Sequence, residues 1–275
     1  MLCYKNAQKI EQIDVLDRGF HYGDGCFTTA RIRNNRVELA DRHLLRLTQS
    51  NERLSLKADL SVIQQTLDTL KQEQTELNGT LKIILSRGLG QRGYSLPDHP
   101  ADVWLFYYPQ IVTDFEYQSI QSGVLQQVLG LTMPSLVGLK TLNRLEQVML
   151  KKEADENGWL EALVTDVQGV IVEGVSSNCF IRINNTWICP DLRYNGVTGV
   201  MRAEILARMQ QQNIECITRS IELNELEHIQ SLFFCNALSP MKLVTQLEQR
   251  SLDPEPCIEL FNRLHLNQMS TYASF

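Results

Sequence analysis

Four segments of the sequence combine glycines with side chains that can donate protons, accept them or hold a charge. One places a lysine among apolar neighbours at a predicted helix entrance, where an amine can act as nucleophile and base. The others offer paired threonines beside an arginine, a glutamate ending an apolar strand, and a glycine-flanked turn opening a helix. In chain order they are 17–31, 137–146 with Lys140, 172–180 with Glu173, and 195–202. Taken singly, Lys140 would more often be a surface lysine and Glu173 a solvated acid.

A fifth glycine motif, Gly88-Leu-Gly-Gln-Arg-Gly93, matches the dinucleotide-binding pattern and follows a predicted strand. A dinucleotide site also requires a helix that begins in the glycines, so that its N-terminus can hold the pyrophosphate. Pro97 and Pro100 exclude a long helix at this point. We therefore predict a tight loop rather than a nucleotide site, and Arg92 is its chemically useful member.

The helices and strands predicted around these segments form mixed α and β structure. Helices are predicted over 41–54, 59–74, 142–157 and 199–213, with a last one from near Pro254. Strands are predicted over 80–86, 101–108, 161–166, 170–173, 179–183, 186–189, 215–221 and 231–235. A linker over 110–114 would separate a smaller N-terminal α/β domain, 1–110, from a larger β-rich C-terminal domain, 115–275.

Composition argues against several classes of function. The 275 residues carry a formal net charge of −6, whereas nucleic-acid binders are usually basic. The seven cysteines are scattered and never spaced C-x-x-C, which argues against a disulfide framework and a zinc site. No stretch has the length of a membrane span, and the N-terminus does not resemble a secretory signal. We expect a cytoplasmic protein with no metal, nucleic-acid or membrane partner.

Together the four segments resemble the fold-type IV pyridoxal-phosphate enzymes, which include D-amino-acid and branched-chain aminotransferases and aminodeoxychorismate lyase. The signature is K-x-L-N from Lys140, E-G-x-S-S-N-x-F from Glu173 and G-V-T-G-x-x-R from Gly196, in the expected order. The resemblance extends from Asp17 to about Pro240. It implies an α+β fold whose larger domain is a pseudo-barrel, pyridoxal 5′-phosphate as cofactor, and a homodimer.

The resemblance also implies a role for each residue of a cofactor site. Lys140, in the larger domain, would hold the cofactor covalently, and Glu173 would face its pyridine nitrogen and keep it protonated. An arginine, together with the amides and hydroxyl at a helix entrance, would bind the phosphate. The residues implied for the phosphate are Arg46, Val197, Thr198, Asn236 and Ala237.

Three details resemble the lyase branch of the family, which cleaves 4-amino-4-deoxychorismate into 4-aminobenzoate and pyruvate. Thr28 follows an aromatic residue at a position where the aminotransferases usually carry glutamate. Arg144 stands where branched-chain enzymes carry tyrosine, and 86–94 is similar to the substrate loop of the lyase. Gln91 and Cys179 depart from the pattern without removing a group that the chemistry needs.

For that reaction, the resemblance implies that Lys140 removes the proton from the amine-bearing carbon and that Thr29 helps protonate the departing pyruvate unit. The substrate is a dianion, and Arg92 and Tyr94 are the main candidates for binding its carboxylates. Weaker candidates are Arg31, Arg87 and Arg144. Two alternatives remain open: a D-amino-acid or branched-chain aminotransferase, and a non-catalytic binding protein of the same fold.

Overall fold

A computed structural model describes residues 1–269, 271 and 272. Its helices are α1 (Arg18–Tyr22), α2 (Ala40–Arg53), α3 (Ser61–Glu73), α4 (Leu145–Glu156), α5 (Val200–Gln211) and α6 (Glu255–Arg263). Its strands are β1 (Leu2–Lys5), β2 (Gln8–Lys9), β3 (Gly25–Arg33), β4 (Arg36–Glu38), β5 (Gly79–Ser86), β6 (Asp102–Pro109), β7 (Gln118–Ser122), β8 (Leu163–Thr165), β9 (Ile171–Gly174), β10 (Asn178–Ile183), β11 (Thr186–Pro190), β12 (Cys216–Arg219), β13 (Ser231–Asn236), β14 (Ser239–Leu247), β15 (Arg250–Ser251) and β16 (Thr271–Tyr272). Short 3-10 turns cover Pro134–Leu136 and Leu223–His228.

The chain divides into two compact units, each of which combines helices with a sheet. The first unit comprises Met1–Thr113, Leu139–Asn143 and the end of the chain from Met269. The second comprises Asp114–Gly138 and Arg144–Gln268. The change of unit after Thr113 falls within the linker predicted over 110–114, and the mixture of helices and sheets agrees with the predicted α+β class.

The first unit is built on an antiparallel sheet ordered β16-β4-β3-β5-β6-β1-β2. β3 pairs with β5 along the whole of β5, so its register is fixed on that side. Successive residues of β3 face opposite sides of the sheet. Cys26 and Thr28 are buried on the side that carries α2, whereas Phe27 and Thr29 are half-buried on the other.

Helices α2 and α3 pack on this sheet through residues that recur every three or four positions, which is the spacing of one helix face. The buried residues of α2 are Ala40, His43, Leu47 and Ser50. Those of α3 are Ile63, Thr66, Leu67 and Leu70. Most of these side chains are apolar, but α2 also buries a histidine beneath β3, and this polar exception belongs to the candidate site.

The segment Leu139–Asn143 belongs to the first unit because it runs beside β3. The N–H of Phe27 donates to the carbonyl of Lys140 at 2.9 Å, and that of Leu142 donates to Gly25 at 3.0 Å. The sequence analysis had placed Lys140 in the larger C-terminal domain. The structure corrects that placement, because pairing with a strand more than one hundred residues away leaves no trace in local hydrophobic periodicity.

The second unit contains a sheet ordered β12-β11-β10-β13-β14-β15, with β7 parallel to β14, and a separate β8–β9 pair. Its interior is apolar: the rings of Phe180 and Phe233 stack with centroids 4.9 Å apart. β9 ends at Gly174 and β10 begins at Asn178, so the glutamate motif forms the end of one strand, a turn and the start of the next.

Two features are absent from the described residues: a membrane-spanning helix and a metal-binding cluster. No helix among them has the length and apolar character needed to span a bilayer. Nor does this part of the chain hold a group of three or more His, Cys, Asp or Glu side chains that could hold a metal ion.

Candidate active site

Lys140 lies against the half-buried side of β3. Its Nζ is 4.8 Å from the centroid of the Phe27 ring, on the face that also carries Thr29. A second amine, Nζ of Lys82, lies 5.0 Å from the same ring, and Lys82 is the register partner of Thr29. The sequence analysis singled out Lys140 and Thr29 but not Lys82. The structure brings these side chains to one face of the first unit.

A polar cluster occupies the opposite, buried side of β3. The Oγ1 of Thr28 lies 2.6 Å from Nδ1 of His43, and Nη1 of Arg46 donates to the same Oγ1 at 3.4 Å. His43 and Arg46 are three residues apart, so they share one face of α2. Arg46, the predicted phosphate ligand, thus donates to Thr28, which in turn lies against His43. The sequence analysis gave neither Thr28 nor His43 a role in the cofactor site.

The charges of this cluster follow from its burial. Burial lowers the pKa of His43 to about 3, and the charge of Arg46 acts in the same direction, so the imidazole is neutral at neutral pH. Burial lowers the pKa of Arg46 to about 10, which still leaves it protonated. The Thr28 hydroxyl accepts from Arg46 and shares a hydrogen bond with Nδ1 of His43. The pair therefore orients Arg46 without cancelling its charge.

Arg92 and Tyr94, the main candidates for binding substrate, lie in the exposed loop that joins β5 to β6. Tyr94 is 87% exposed, and its ring packs edge-on against Tyr22 with centroids 5.7 Å apart. No helix begins at the three glycines of this loop, as the sequence analysis predicted. The loop therefore presents an arginine and a tyrosine to solvent on an ordered turn.

Arg31 and Arg87, two weaker candidates for binding substrate, form ion pairs inside the protein. The guanidinium of Arg31 pairs with both carboxylate oxygens of the buried Glu38, at 2.6 and 2.9 Å, and also donates to the carbonyl of Thr113. Arg87 pairs with Asp24. These contacts hold both guanidiniums inside the first unit, which makes Arg31 and Arg87 less suitable than Arg92 for binding the substrate.

Glu173 in the second unit is a buried carboxylate held in a fixed orientation. It is 6% exposed, and its Oε2 accepts from the N–H of Val197 at 3.0 Å and from Nδ2 of Asn178 at 3.2 Å. Gly196 has a φ of +82° and approaches so closely that a Cβ would lie 2.9 Å from the Val172 side chain. The backbone thus needs glycine at this position, on both conformational and steric grounds.

The turn before α5 is a tight cradle of small residues. A Cβ added to Gly199 would lie 1.9 Å from Oδ1 of Asn178. The N–H of Thr198 donates to the carbonyl of Gly138 at 3.0 Å, and that of Val197 donates to Glu173. The sequence analysis assigned both amides to a phosphate, but both already have protein acceptors. The first-turn amides of α5, which lack intrahelical acceptors, are more suitable donors.

Asn236 is the last residue of β13, and Ala237 lies in the turn between β13 and β14. The Oδ1 of Asn236 accepts from the N–H groups of Leu238 and Ser239, at 3.1 and 2.9 Å, and its Nδ2 donates to Ser177 at 3.1 Å. Asn236 therefore shapes its own turn and links that turn to the glutamate motif.

Glu161 organises the same region and was missed by the sequence analysis. It is fully buried and accepts from the N–H of Ser176 at 3.1 Å, from both the Ser176 and Ser177 hydroxyls, and from Nζ of Lys242 at 3.2 Å. The available signal was a carboxylate directly before the apolar run Ala-Leu-Val, but no motif marks it. Glu161 holds the turn that connects Glu173 to Asn178.

Arg144 lies in the second unit, as does Glu173. Burial lowers the pKa of Arg144, while the charges of Glu173 and Glu146 act in the opposite direction. The candidate residues thus form two sets. The first unit carries Thr29, Arg46, Arg92, Tyr94 and Lys140, and the second carries Arg144, Glu173, Val197, Thr198, Asn236 and Ala237.

Comparison with known proteins agrees with this geometry. The model of the amino-transferase class IV family matches residues 25–247. An aminodeoxychorismate lyase of Vibrio harveyi is 30% identical over 243 residues, covering 86% of this chain and 88% of the relative. The crystal structure of 4-amino-4-deoxychorismate lyase from Pseudomonas aeruginosa has 31% identity and a TM-score of 0.85, covering 96% of this chain and 98% of that one.

Aminotransferases also match the chain, at lower identity than these two lyases. A D-alanine aminotransferase of Bacillus licheniformis is 23% identical over 245 residues, covering 87% of this chain and 84% of the relative. The matched residues include the lysine, glutamate and glycine motifs, as well as the β3–α2 pair that carries Thr28 and Arg46. The chain therefore belongs to the class IV aminotransferase family, and it is an enzyme that depends on pyridoxal 5′-phosphate.

Proposed function

We propose that this enzyme is a lyase that cleaves 4-amino-4-deoxychorismate into 4-aminobenzoate and pyruvate. The observation that carries the proposal is the 30–31% identity to two lyases along nearly the full chain, whereas the aminotransferases compared with it are 23–26% identical. A local feature supports it. Thr28 lies buried against His43, at the position where family aminotransferases usually carry glutamate.

The residues present fit the cofactor. Gly199, the residue before α5, has no side chain, and the first-turn amides of α5 lack intrahelical acceptors, which suits a phosphate at a helix N-terminus. Glu173 is a buried carboxylate of fixed orientation, as a partner for a protonated pyridine nitrogen must be. We assign Lys140 as the covalent attachment point, and Arg46 and the first turn of α5 as the phosphate ligands.

When bound, pyridoxal phosphate supplies an electron sink for the negative charge that develops on the substrate. The amine of Lys140 removes the proton from the amine-bearing ring carbon. The bond from the neighbouring carbon to the enolpyruvyl oxygen then breaks, and the carbocycle becomes aromatic. The departing pyruvate enolate takes up a proton at its methylene carbon, from Lys140 and with the assistance of the Thr29 hydroxyl, to become pyruvate. Arg92 and Tyr94 bind the carboxylates of the substrate.

The direct test supplies aminodeoxychorismate to the cofactor-loaded protein and measures 4-aminobenzoate and pyruvate. We expect both products in equal amounts. Lys140→Ala should abolish both the products and the cofactor label that borohydride reduction fixes on the peptide containing residue 140. A loaded wild-type enzyme that forms neither product would refute the lyase assignment, and a label on another peptide would refute the lysine assignment.

A second candidate function is transamination of D-amino or branched-chain amino acids. The match to D-alanine aminotransferase over most of the chain favours this candidate. Incubation with D-alanine or leucine and 2-oxoglutarate decides between them, because an aminotransferase would form glutamate rapidly. We expect little or no glutamate under conditions in which aminodeoxychorismate is consumed.

We also infer that the enzyme is a homodimer. Large apolar side chains are exposed on the first unit, including Phe20 at 71%, Val15 at 70% and Leu16 at 59%. They adjoin a groove of about 670 Å³ lined in part by Trp104 and Phe106. Exposed apolar surface of this kind marks an association face. Sedimentation should show a dimer that Phe20→Glu weakens, and a wild-type monomer at micromolar concentration would contradict the inference.

A further inference from the structure

Arg18, the first residue of α1, lies buried beside the loop 88–94. Its side chain is only 4% exposed. Its Nη1 donates to the carbonyl of Gly93 at 2.8 Å and contacts that of Gln91 at 3.5 Å, and its backbone N–H donates to Gly88 at 2.8 Å. One buried residue therefore holds a loop whose own side chains are largely exposed.

The two carbonyls bound by Arg18 belong to the peptide bonds that precede Arg92 and Tyr94. Tyr22, at the other end of α1, accepts from the N–H of Gly93 at 3.1 Å and packs its ring 4.8 Å from the Arg18 guanidinium. Both sides of Arg92 are thus fixed through the backbone, while its side chain stays exposed.

A half-buried counter-charge, Asp24, holds Arg18 in place. Asp24 pairs with Nε of Arg18 at 2.9 Å and with Nε of Arg87 at 3.1 Å. Arg87 also donates to the carbonyls of Leu54 and Ser55, each at 2.7 Å. The contact between Arg18 and the loop is therefore anchored in the interior of the first unit.

The glycine motif of the loop has a role in this arrangement. A Cβ added to Gly90 would lie 2.6 Å from Cδ of Arg18, although the backbone of Gly90 is not left-handed. Gly88 and Gly93 have φ values of +78° and +110°, in the region that favours glycine. Glycine thus serves to admit the Arg18 side chain at one position and to form the turn at the other two.

We propose that Arg18 is a positioning residue for substrate binding, which holds the loop so that Arg92 and Tyr94 adopt one arrangement before an anionic substrate arrives. Ordering the loop in advance removes a cost that binding would otherwise carry. The identity of the substrate rests on the proposed function. The restraint on the loop does not depend on the substrate, because it follows from contacts within the first unit.

Trypsin provides a readout that is independent of activity, because it cleaves after Arg92, between the two restrained peptides. Cleavage of a loop follows the population of its open form when opening is fast. Arg18→Met keeps the apolar stem but removes the donors, and it should speed cleavage at Arg92 about tenfold. Cleavage after the exposed Lys152 of α4 reports any general loss of stability, and Arg92→Gln confirms the assignment of the fragment.

Gly90→Ala is the second variant, since it displaces the Arg18 side chain without removing a charge. It should also speed cleavage at Arg92 relative to Lys152. Wild-type cleavage ratios in both variants would overturn the proposed restraint. A rise at both sites in equal proportion would do so too, because it would show only general destabilisation.

Kinetics test the role in binding. In Arg18→Met we expect the KM for aminodeoxychorismate to rise about tenfold, with kcat changed by less than about twofold, because the loop must be ordered during binding. A looser loop with an unchanged KM would overturn the positioning role. A wild-type protein without lyase activity would refute the proposed function instead, and the trypsin ratio would still decide whether Arg18 restrains the loop.

Discussion

At the scale of single residues, two adjacent threonines have different surroundings. Thr28 is buried between His43 and Arg46, whereas Thr29 is half-buried on the face that carries Phe27. Strand geometry alone separates them, because neighbouring side chains of a strand point to opposite sides. Both residues are threonines, so the same replacement made at each position separates an effect on cofactor binding from an effect on turnover.

Thr28→Val should weaken cofactor binding about tenfold, because a hydrogen bond to a charged group contributes roughly 1.5–3 kcal/mol. Titration of the apoprotein with pyridoxal phosphate measures this. Thr29→Val is the matched control: it should lower kcat and leave the cofactor affinity at its wild-type value. An equal loss of affinity in both variants would contradict the separation.

His43 should make the stability of the protein depend on pH. Its pKa is lowered from 6.5 to about 3 in the folded state, so the unfolded state binds more protons between these values. The stabilising contribution is complete above pH 6.5 and is lost progressively as the pH falls towards 3. The free energy of unfolding should therefore decrease from pH 7 to pH 5, where most carboxylates stay ionised. His43→Gln should flatten this slope, and an unchanged slope would count against the assignment.

Glu161 and Lys242 form a largely buried ion pair, so removing one partner should destabilise the protein more than removing both. Glu161→Gln should lower the free energy of unfolding by about 3 kcal/mol, because it leaves the ammonium of Lys242 buried without a counter-charge. Urea denaturation measures the change. The double variant Glu161→Gln, Lys242→Met should recover part of the loss. Additive losses would show that the pair is not coupled.

At the scale of elements, the sequence predicted the helices better than the strand pairings. The helix predicted over 41–54 is Ala40–Arg53 in the structure. The prediction was close because the apolar residues of α2 recur at helical spacing. The predicted helix over 142–157 begins later, at Leu145, since the segment before it pairs with β3. β7 and β14 were not predicted at all, and their pairing is parallel and non-local.

The turn before α5 gives a prediction at this scale. Gly199→Ala should lower the free energy of unfolding by about 1–3 kcal/mol, because the added methyl overlaps Asn178, the residue that holds Glu173. It should also weaken cofactor binding. Gly130→Ala is the matched control within the second unit, since a Cβ there meets nothing within 4 Å. Equal thermal midpoints for the two variants would contradict the steric argument.

At the scale of the whole molecule, the motifs identified the family but not the supports of its site. Lys140 and Glu173 were found because their neighbours form a recognisable signature. Glu161 and Arg18 could not be found in this way, since each acts through backbone groups or side chains remote in sequence. The contacts of Arg31 could not be predicted either, because a sequence does not show which arginines have buried partners. Residue types thus predict chemistry more readily than they predict position.

The alternation along β3 also determines which genetic changes this enzyme can tolerate. Deleting one residue between Gly25 and Thr28 would shift the strand by one place and exchange its two faces. Thr29 would then take the place beside His43 and Ala30 the place of Thr29, so the position assigned to proton transfer would carry an alanine although both threonines would still be encoded. Single-codon deletions here should therefore be as damaging as loss of the lysine, whereas conservative replacements such as Thr28→Ser should be mild.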